Sequence, residues 1–127
     1  MCSSDLTDIN IPEATTAIES CAFLNCSALQ TVVIGNGVNT IGEDAFANCT
    51  TLQSISIGEG IETINKRAFH NCNCILGLIC RAQTPPTVEH LMLPETATIY
   101  VPSKITREYK KAMGWSNYAK QIKRIKE

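Results

Sequence analysis

The sequence predicts an α/β repeat fold, in which 23-residue coils of short parallel strands and short helical turns stack into a solenoid with a C-terminal cap. Three observations support this prediction. Phenylalanine recurs every 23 residues, at Phe23, Phe46 and Phe69. A cysteine follows each phenylalanine by three residues, which gives a second column of Cys26, Cys49 and Cys72. The pattern ends near residue 80, and a fixed period of this kind is typical of stacked coils.

The strand of each coil is predicted from apolar residues in fixed columns. In the first complete repeat, Leu29, Val32 and Ile34 occupy these columns, with Val32 and Ile34 facing inward; residues 52–57 and 75–80 repeat the pattern. Copies of this strand should pair in parallel, about 4.8 Å apart. Residues 6–11 fit the same columns one period earlier, so we expect a strand there as well.

The turns between strands are predicted from glycine and acidic residues. Glycines follow two of the strands, at Gly35, Gly37, Gly58 and Gly60. We interpret them as tight bends that need unusual backbone dihedral angles. Residues 43–49 suit one helical turn, because Glu43 and Asp44 would be favourable near its N-terminus.

The start of the chain is expected to lie inside a repeat, because residues 2–6 resemble the end of another coil with one residue inserted. The chain would then be the C-terminal portion of a longer solenoid or a truncated paralogue. The alternative is a mature lipoprotein with Cys2 as the lipidated residue. An uncapped first strand would expose Ile9 and Ile11, which predicts a homodimer through the N-terminal end.

The repeat register is expected to end after Cys80, because Pro85 and Pro86 remove backbone donors and fix their dihedral angles. We therefore assign residues 1–80 to the coils, a partial first coil followed by three repeats, and residues 81–127 to a cap. A terminal segment must differ from the repeats, since the last coil otherwise exposes its apolar interior.

The cap is predicted to contain a strand, a helix and a covering aromatic pair. Residues 97–102 read as a strand, and residues 104–113 as a short helix that Gly114 ends. Trp115 and Tyr118 should cover the last coil, and residues 122–125 should form a final strand.

The charge distribution is uneven along the chain. Residues 1–103 carry three basic against ten acidic side chains, a charge of −7, whereas residues 104–127 carry eight basic against two acidic, a charge of +6. A basic end suits nucleic acid or an anionic surface. No nucleic-acid-binding motif accompanies these charges, so we expect a solvated cap and no nucleic-acid partner. No run of eighteen apolar residues occurs, so no membrane span is predicted.

The cysteines are predicted to be structural. His70, Cys72, Cys74 and Cys80 superficially resemble a zinc site. Cys72 and Cys80 fall in inward columns, however, and buried cysteine packs as a small hydrophobe. We therefore predict no metal and no cofactor, and we expect the cysteine column to be reduced and unreactive. No histidine lies in a recognisable catalytic motif, so the chain is predicted not to be an enzyme.

The column pattern resembles BspA-like leucine-rich repeats. It does so through the isoleucine five residues before Phe46, the Phe46–Cys49–Leu52 spacing and the alternating Ile55 and Ile57. The tail around residues 80–86, 99–102 and 114–115 is similar to ends found in such proteins of gut anaerobes. The resemblance implies a curved solenoid, usually exported and displayed on the bacterial cell surface, with adhesion proposed for some members. It supplies no catalytic residues.

The outward residues of the predicted strands form the candidate binding face. These six residues are Thr31, Val33, Ser54, Ser56, Gly77 and Ile79. Solenoids commonly bind partners on an extended face, here an unidentified protein or glycoprotein. The alternative is that small residues merely relieve crowding between coils. The predicted function is therefore an interaction or adhesion module, extracellular or at the cell surface if a signal precedes the chain. The alternatives are a structural spacer and a thiol or metal site.

Overall fold

The computed structural model describes residues 6–125 as a succession of short strands and turns that ends in short helices. The strands are β1 (Asp8–Ile11), β2 (Ala17–Ile18), β3 (Thr31–Ile34), β4 (Thr40–Ile41), β5 (Ser54–Ile57), β6 (Thr63–Ile64), β7 (Gly77–Cys80), β8 (Thr87–Val88), β9 (Thr98–Val101) and β10 (Ile122–Arg124). A 3-10 helix (Ser103–Ile105), the helix α1 (Thr106–Lys111) and a second 3-10 helix (Ser116–Gln121) lie between β9 and β10. The expectations for residues 2–5, including the inserted coil end and a lipidated Cys2, lie outside the described residues.

The strands form two parallel sheets. One has six strands in the order β1-β3-β5-β7-β9-β10, and the other has four in the order β2-β4-β6-β8. Each coil thus contributes one strand to each sheet before the chain steps to the next coil. In the larger sheet, Ile9, Val32, Ile55 and Leu78 are successive register partners. The predicted α/β repeat solenoid of short parallel strands is confirmed.

The core lies between the two sheets and consists of the inward columns. In β3 the inward Val32 and Ile34 are buried, and their partners in β5, Ile55 and Ile57, are fully buried. Burial of each such side chain stabilises the fold by about 1.5–3 kcal/mol. The smaller sheet adds its own inward column, Ile18, Ile41 and Ile64, which is also buried.

The predicted helical turn at residues 43–49 is wrong. Asp44 and Asn48 have positive φ angles of 56° and 62°, which a right-handed helix does not contain. The backbone N–H of Phe46 donates instead to the Ala68 carbonyl at 2.8 Å, in the next coil. The backbone N–H groups of Asp44, Phe46 and Asn48 all donate to the following coil, whereas a helix would satisfy them internally.

The predicted reason for the glycine turns is also wrong. None of the four glycines has a positive φ angle; among the described glycines, only Gly114 does. A Cβ atom at Gly37 would lie 2.1 Å from the Glu13 carbonyl oxygen, and one at Gly60 would lie 2.2 Å from the Asn36 carbonyl oxygen. Glycine is therefore required by the close approach of neighbouring coils.

Both sheets continue past Cys80, although the 23-residue register ends there as expected: Thr98 pairs with Gly77, 21 residues earlier, and Thr87 pairs with Thr63, 24 residues earlier. Strand β8 pairs with β6, β9 pairs with β7, and β10 pairs with β9. Regular structure is interrupted at residues 81–86, the stretch that contains Pro85 and Pro86. The division between coils and cap at residue 80 stays a prediction.

The cap closes the core with two aromatic side chains. Tyr109 of α1 and Trp115 are both fully buried, and their rings meet edge to face with centroids 5.2 Å apart. Their polar atoms are satisfied by backbone carbonyls: the Tyr109 hydroxyl donates to Ala82 at 2.8 Å, and the Trp115 indole donates to Pro86 at 2.9 Å. Within residues 6–125, no helix combines the length and apolar character needed to span a bilayer.

Candidate binding face and side-chain ladders

The six predicted face residues lie on β3, β5 and β7 and share the outward side of the larger sheet. Thr31, Ser54 and Gly77 are register partners, and Val33, Ser56 and Ile79 form the neighbouring column. Each alternates with a buried residue of the same strand. Val33 is 42% exposed, although it is an aliphatic side chain. The face is therefore uncharged and partly apolar in its central strands.

The outward columns extend beyond the predicted residues. Tyr100 of β9 is the register partner of Ile79, and Lys123 of β10 is the partner of Tyr100. On the other side, Asn10 of β1 is the partner of Val33. Tyr100 is 36% exposed and places an aromatic ring beside the aliphatic Ile79. Sequence reasoning missed this residue, although the strand that contains it was expected.

Gly77 leaves an open place in the middle of this face. A Cβ atom built on Gly77 meets no atom within 4 Å, unlike one on any other described glycine. Packing within the chain therefore does not require glycine here. The preceding residue, Leu76, is 60% exposed.

The phenylalanine column forms a continuous stack. The Phe23 and Phe46 rings are 5.3 Å apart at 10°, and the Phe46 and Phe69 rings are 5.6 Å apart at 9°. Phe46 and Phe69 are buried, whereas Phe23 is half-buried. The middle ring alone has an aromatic neighbour on both sides.

The cysteine column binds the backbone of the preceding coil. The Cys49 thiol donates to the Phe23 carbonyl at 3.3 Å, and the Cys72 thiol donates to the Phe46 carbonyl at 3.0 Å. Contact with the Cys49 thiol and burial raise the pKa of the Cys72 thiol. Cys49 and Cys72 are free thiols, but Cys26 is disulfide-bonded, so the prediction that it is reduced is wrong.

An asparagine ladder runs beside the cysteines and was not foreseen. The Asn48 side-chain amide donates to the Asn25 side-chain oxygen at 2.9 Å, and Asn71 donates to Asn48 at 3.0 Å. All three residues have positive φ angles, between 62° and 65°. Asparagine tolerates this conformation better than most residues, which explains why it precedes every cysteine of the column.

The four residues that superficially resemble a zinc site differ in their burial and in their hydrogen-bond partners. Cys72 and Cys80 are buried, whereas Cys74 is exposed. The Cys80 sulfur lies 3.4 Å from the Tyr109 hydroxyl oxygen, inside the core. Among residues 6–125, no group of three or more potential ligands is arranged to hold a metal ion.

The comparison with known proteins gives the family. The model described as "BspA type Leucine rich repeat region (6 copies)" matches residues 1–90. The chain belongs to this family. No curated protein matches the chain.

Two solved leucine-rich-repeat structures share the fold of this BspA-type chain. A protein of T. pallidum is 22% identical with a TM-score of 0.61, and the match covers 79% of this chain and 54% of that one. A protein of Bacteroides ovatus ATCC 8483 is 22% identical with a TM-score of 0.62, and the match covers 97% of this chain and 31% of that one. This chain therefore spans about half of the first protein and about a third of the second.

Proposed function

We propose that this chain is a non-enzymatic protein-interaction module that binds its partner through the outward face of the six-stranded sheet. The observation that carries the proposal is the outward column Val33, Ser56, Ile79 and Tyr100 on four neighbouring strands. Its three apolar members are Val33 and Tyr100, which are exposed, and Ile79, which is half-buried. Leucine-rich-repeat solenoids present such extended faces to partners.

The exposed apolar groups are not needed by the core. Val32 and Ile34 already fill the interior of their coil, so the outward Val33 adds little to packing. Tyrosine is enriched at protein interfaces, because its ring offers apolar area and its hydroxyl stays hydrogen-bonded. A face with Ile79 and Tyr100 at its centre therefore fits a protein surface.

Adhesion at the bacterial cell surface, to a protein or glycoprotein ligand, is the finer form of this proposal. It assigns the contact to Thr31, Val33, Ser54, Ser56, Gly77 and Ile79, together with Tyr100. Export would depend on a signal preceding the chain. BspA-type family membership supports this form.

A structural spacer is the second candidate function. It is favoured by the Phe46 stack and the Asn48 ladder, each of which joins three successive coils. Such a module would hold other domains at a fixed spacing and would bind nothing on its sheet face.

A homodimer through the N-terminal end is also proposed. Among the described residues, β1 forms one edge of the larger sheet, and Ile11 at its end is only partly buried. Sedimentation over a range of concentrations tests the proposal, and a charge at Ile11 should abolish the dimer. A monomer at every concentration would refute it.

The face is tested by binding to a panel of immobilised extracellular-matrix proteins and purified bacterial surface proteins. We expect Ile79→Lys and Tyr100→Ala to reduce binding at least tenfold, because they disrupt the centre of the face. Met113→Lys is the matched control, since Met113 is an apolar side chain, 89% exposed, that belongs to the cap. Equal binding by all variants would refute the face, and absence of binding to the whole panel would favour the spacer.

A further inference from the structure

A cleft of about 720 Å³ lies at the ends of β7, β9 and β10. Its lining residues come from the segments that follow β5, β7 and β9 and from the end of β10, and they are Glu59, Arg81, Gln83, Pro102, Ser103, Lys104, Arg124 and Ile125. Three of these side chains are cations and one is a carboxylate. The cleft lies apart from the sheet-face columns, and it shares no residue with them.

The cleft forms because the third coil lacks the two glycines that follow the strand in the earlier coils. Arg81 occupies the column of Gly35 and Gly58, and its backbone N–H still donates to the Ile57 carbonyl at 3.1 Å. Gln83 occupies the column of Gly37 and Gly60. Two side chains thus stand where earlier coils have none, because the chain leaves the tight turn towards Pro85.

The cations of the cleft form no ion pair with any residue between positions 6 and 125. The ion pairs within residues 6–125 join Lys66 and Arg67 to the acidic residues Glu43 and Asp44. None of them includes Arg81, Lys104 or Arg124. With three cations against one carboxylate, the cleft therefore carries a net positive charge that suits an anionic ligand.

The Glu59 carboxylate lies in a column of side chains that accept hydrogen bonds from backbone N–H groups of the next coil. The Asn36 backbone N–H donates to the Glu13 carboxylate at 2.8 Å, and the Glu59 backbone N–H donates to the Asn36 side-chain oxygen at 2.9 Å. Glu59 is the next acceptor in this column. No hydrogen bond within the described part of the chain reaches its carboxylate, because the following turn departs. An acceptor suited to a backbone N–H thus borders the cleft.

We propose that this cleft binds an acidic peptide segment, whose backbone N–H donates to Glu59 and whose carboxylates pair with Arg81, Lys104 and Arg124. A phosphate or sulfate group would pair with the cations but has no N–H to donate to Glu59, which would repel it. A peptide has carboxylates for the cations and a backbone N–H for Glu59. No aromatic side chain lines the cleft, so the stacking that single-stranded nucleic acid needs is missing. This site does not depend on the sheet face.

The first test measures fluorescence anisotropy of a labelled, N-acetylated peptide of alternating aspartate and glutamate at low salt. We expect the double variant Arg81→Gln/Arg124→Gln to weaken binding about tenfold, since two exposed charge pairs are lost. The matched control is Lys111→Gln/Lys120→Gln, which removes the same charge at exposed cap positions outside the cleft. Equal weakening by both double variants would overturn the proposal, because only general charge would then matter.

The second test distinguishes a peptide-binding site from nonspecific attraction between opposite charges. N-methylation of the peptide at one backbone position should weaken binding at least fivefold in the wild type and have no effect in Glu59→Ala. Glu59→Ala leaves the hydrogen bond of its own backbone N–H to Asn36 in place. If N-methylation has no effect at any position and Glu59→Ala binds the peptide more tightly, the peptide assignment is wrong. Tighter binding of a heparin-derived oligosaccharide or single-stranded DNA through Arg81 and Arg124 would overturn it as well. Loss of sheet-face binding in Ile79→Lys leaves these outcomes unchanged, so the two proposals fail separately.

Discussion

Replacement of the central phenylalanine tests the stacking of the coils most directly. Phe46→Ala should cost about 3–5 kcal/mol, the usual loss for a buried phenylalanine. The value should fall in the upper part of this range, because Phe46 loses two ring contacts worth about 0.5–1.5 kcal/mol each. Phe23 is half-buried and has one ring contact, so Phe23→Ala should cost about half as much, roughly 1.5–2.5 kcal/mol.

A urea titration measures both losses. The single tryptophan, Trp115, is buried in the cap and reports on that end, while far-UV circular dichroism reports on all coils. Coincident transitions and equal m values justify comparison of the free energies of unfolding. Phe46→Leu is the milder control, because it keeps most of the apolar volume and removes only the ring contacts. If Phe23→Ala costs as much as Phe46→Ala, the stacking order derived from the rings is wrong.

Four further predictions concern single side chains. Asn48→Ala should destabilise the chain by about 1–2 kcal/mol in the same titration, and Asn48→Gly by less, because glycine restores the positive φ angle but not the ladder hydrogen bonds. Mass spectrometry after native thiol labelling should show rapid modification of the exposed Cys74 and none of the buried Cys72, whereas labelling of both in denaturant serves as the control. Burial raises the pKa of Tyr109, so the unfolded chain loses this proton first as the pH rises; the free energy of unfolding should fall above about pH 10, and a stability unchanged between pH 7 and pH 11 would contradict this. His70→Leu should raise the melting temperature, because the buried Nδ1 atom of His70 has no hydrogen-bond partner among the described residues.

The apolar columns could be predicted from the sequence because burial dictates them. Val32 and Ile55 face a closed interior, where only apolar side chains of similar volume fit, so the pattern repeats visibly. The turn at Asn48 was missed, because acidic residues nearby also suit a helix N-terminus. The asparagine that recurs at positions 25, 48 and 71 is a signal in the sequence for a left-handed backbone position.

The outward face was harder to predict because the spacing changes in the cap. A constant 23-residue period would place Tyr100 opposite Gly77, whereas Ile79 is its observed partner. The irregular stretch after Cys80 shortens the path between β7 and β9 by two residues relative to the preceding coils. Only the structure shows that Tyr100 extends the column of Val33.

The positions where the repeat breaks without a packing reason carry the most information about binding. A substitution in an inward column alters the volume of the core. Cys80 takes the place of isoleucine in the column of Ile34 and Ile57, and there the Tyr109 hydroxyl lies against its sulfur. At Gly77 and Arg81 no such constraint operates: a larger side chain would fit at Gly77, and glycine stands at the Arg81 column in earlier coils. Gly77 leaves open space on the sheet face, and Arg81 adds a cation to the cleft. Variants at these two positions therefore separate binding from folding better than changes anywhere in the core.

Gly77→Ser should leave the free energy of unfolding unchanged or raise it, because glycine weakens a strand interior. If Gly77→Ser unfolds the chain, the open space at Gly77 is filled in solution and the face has been misjudged.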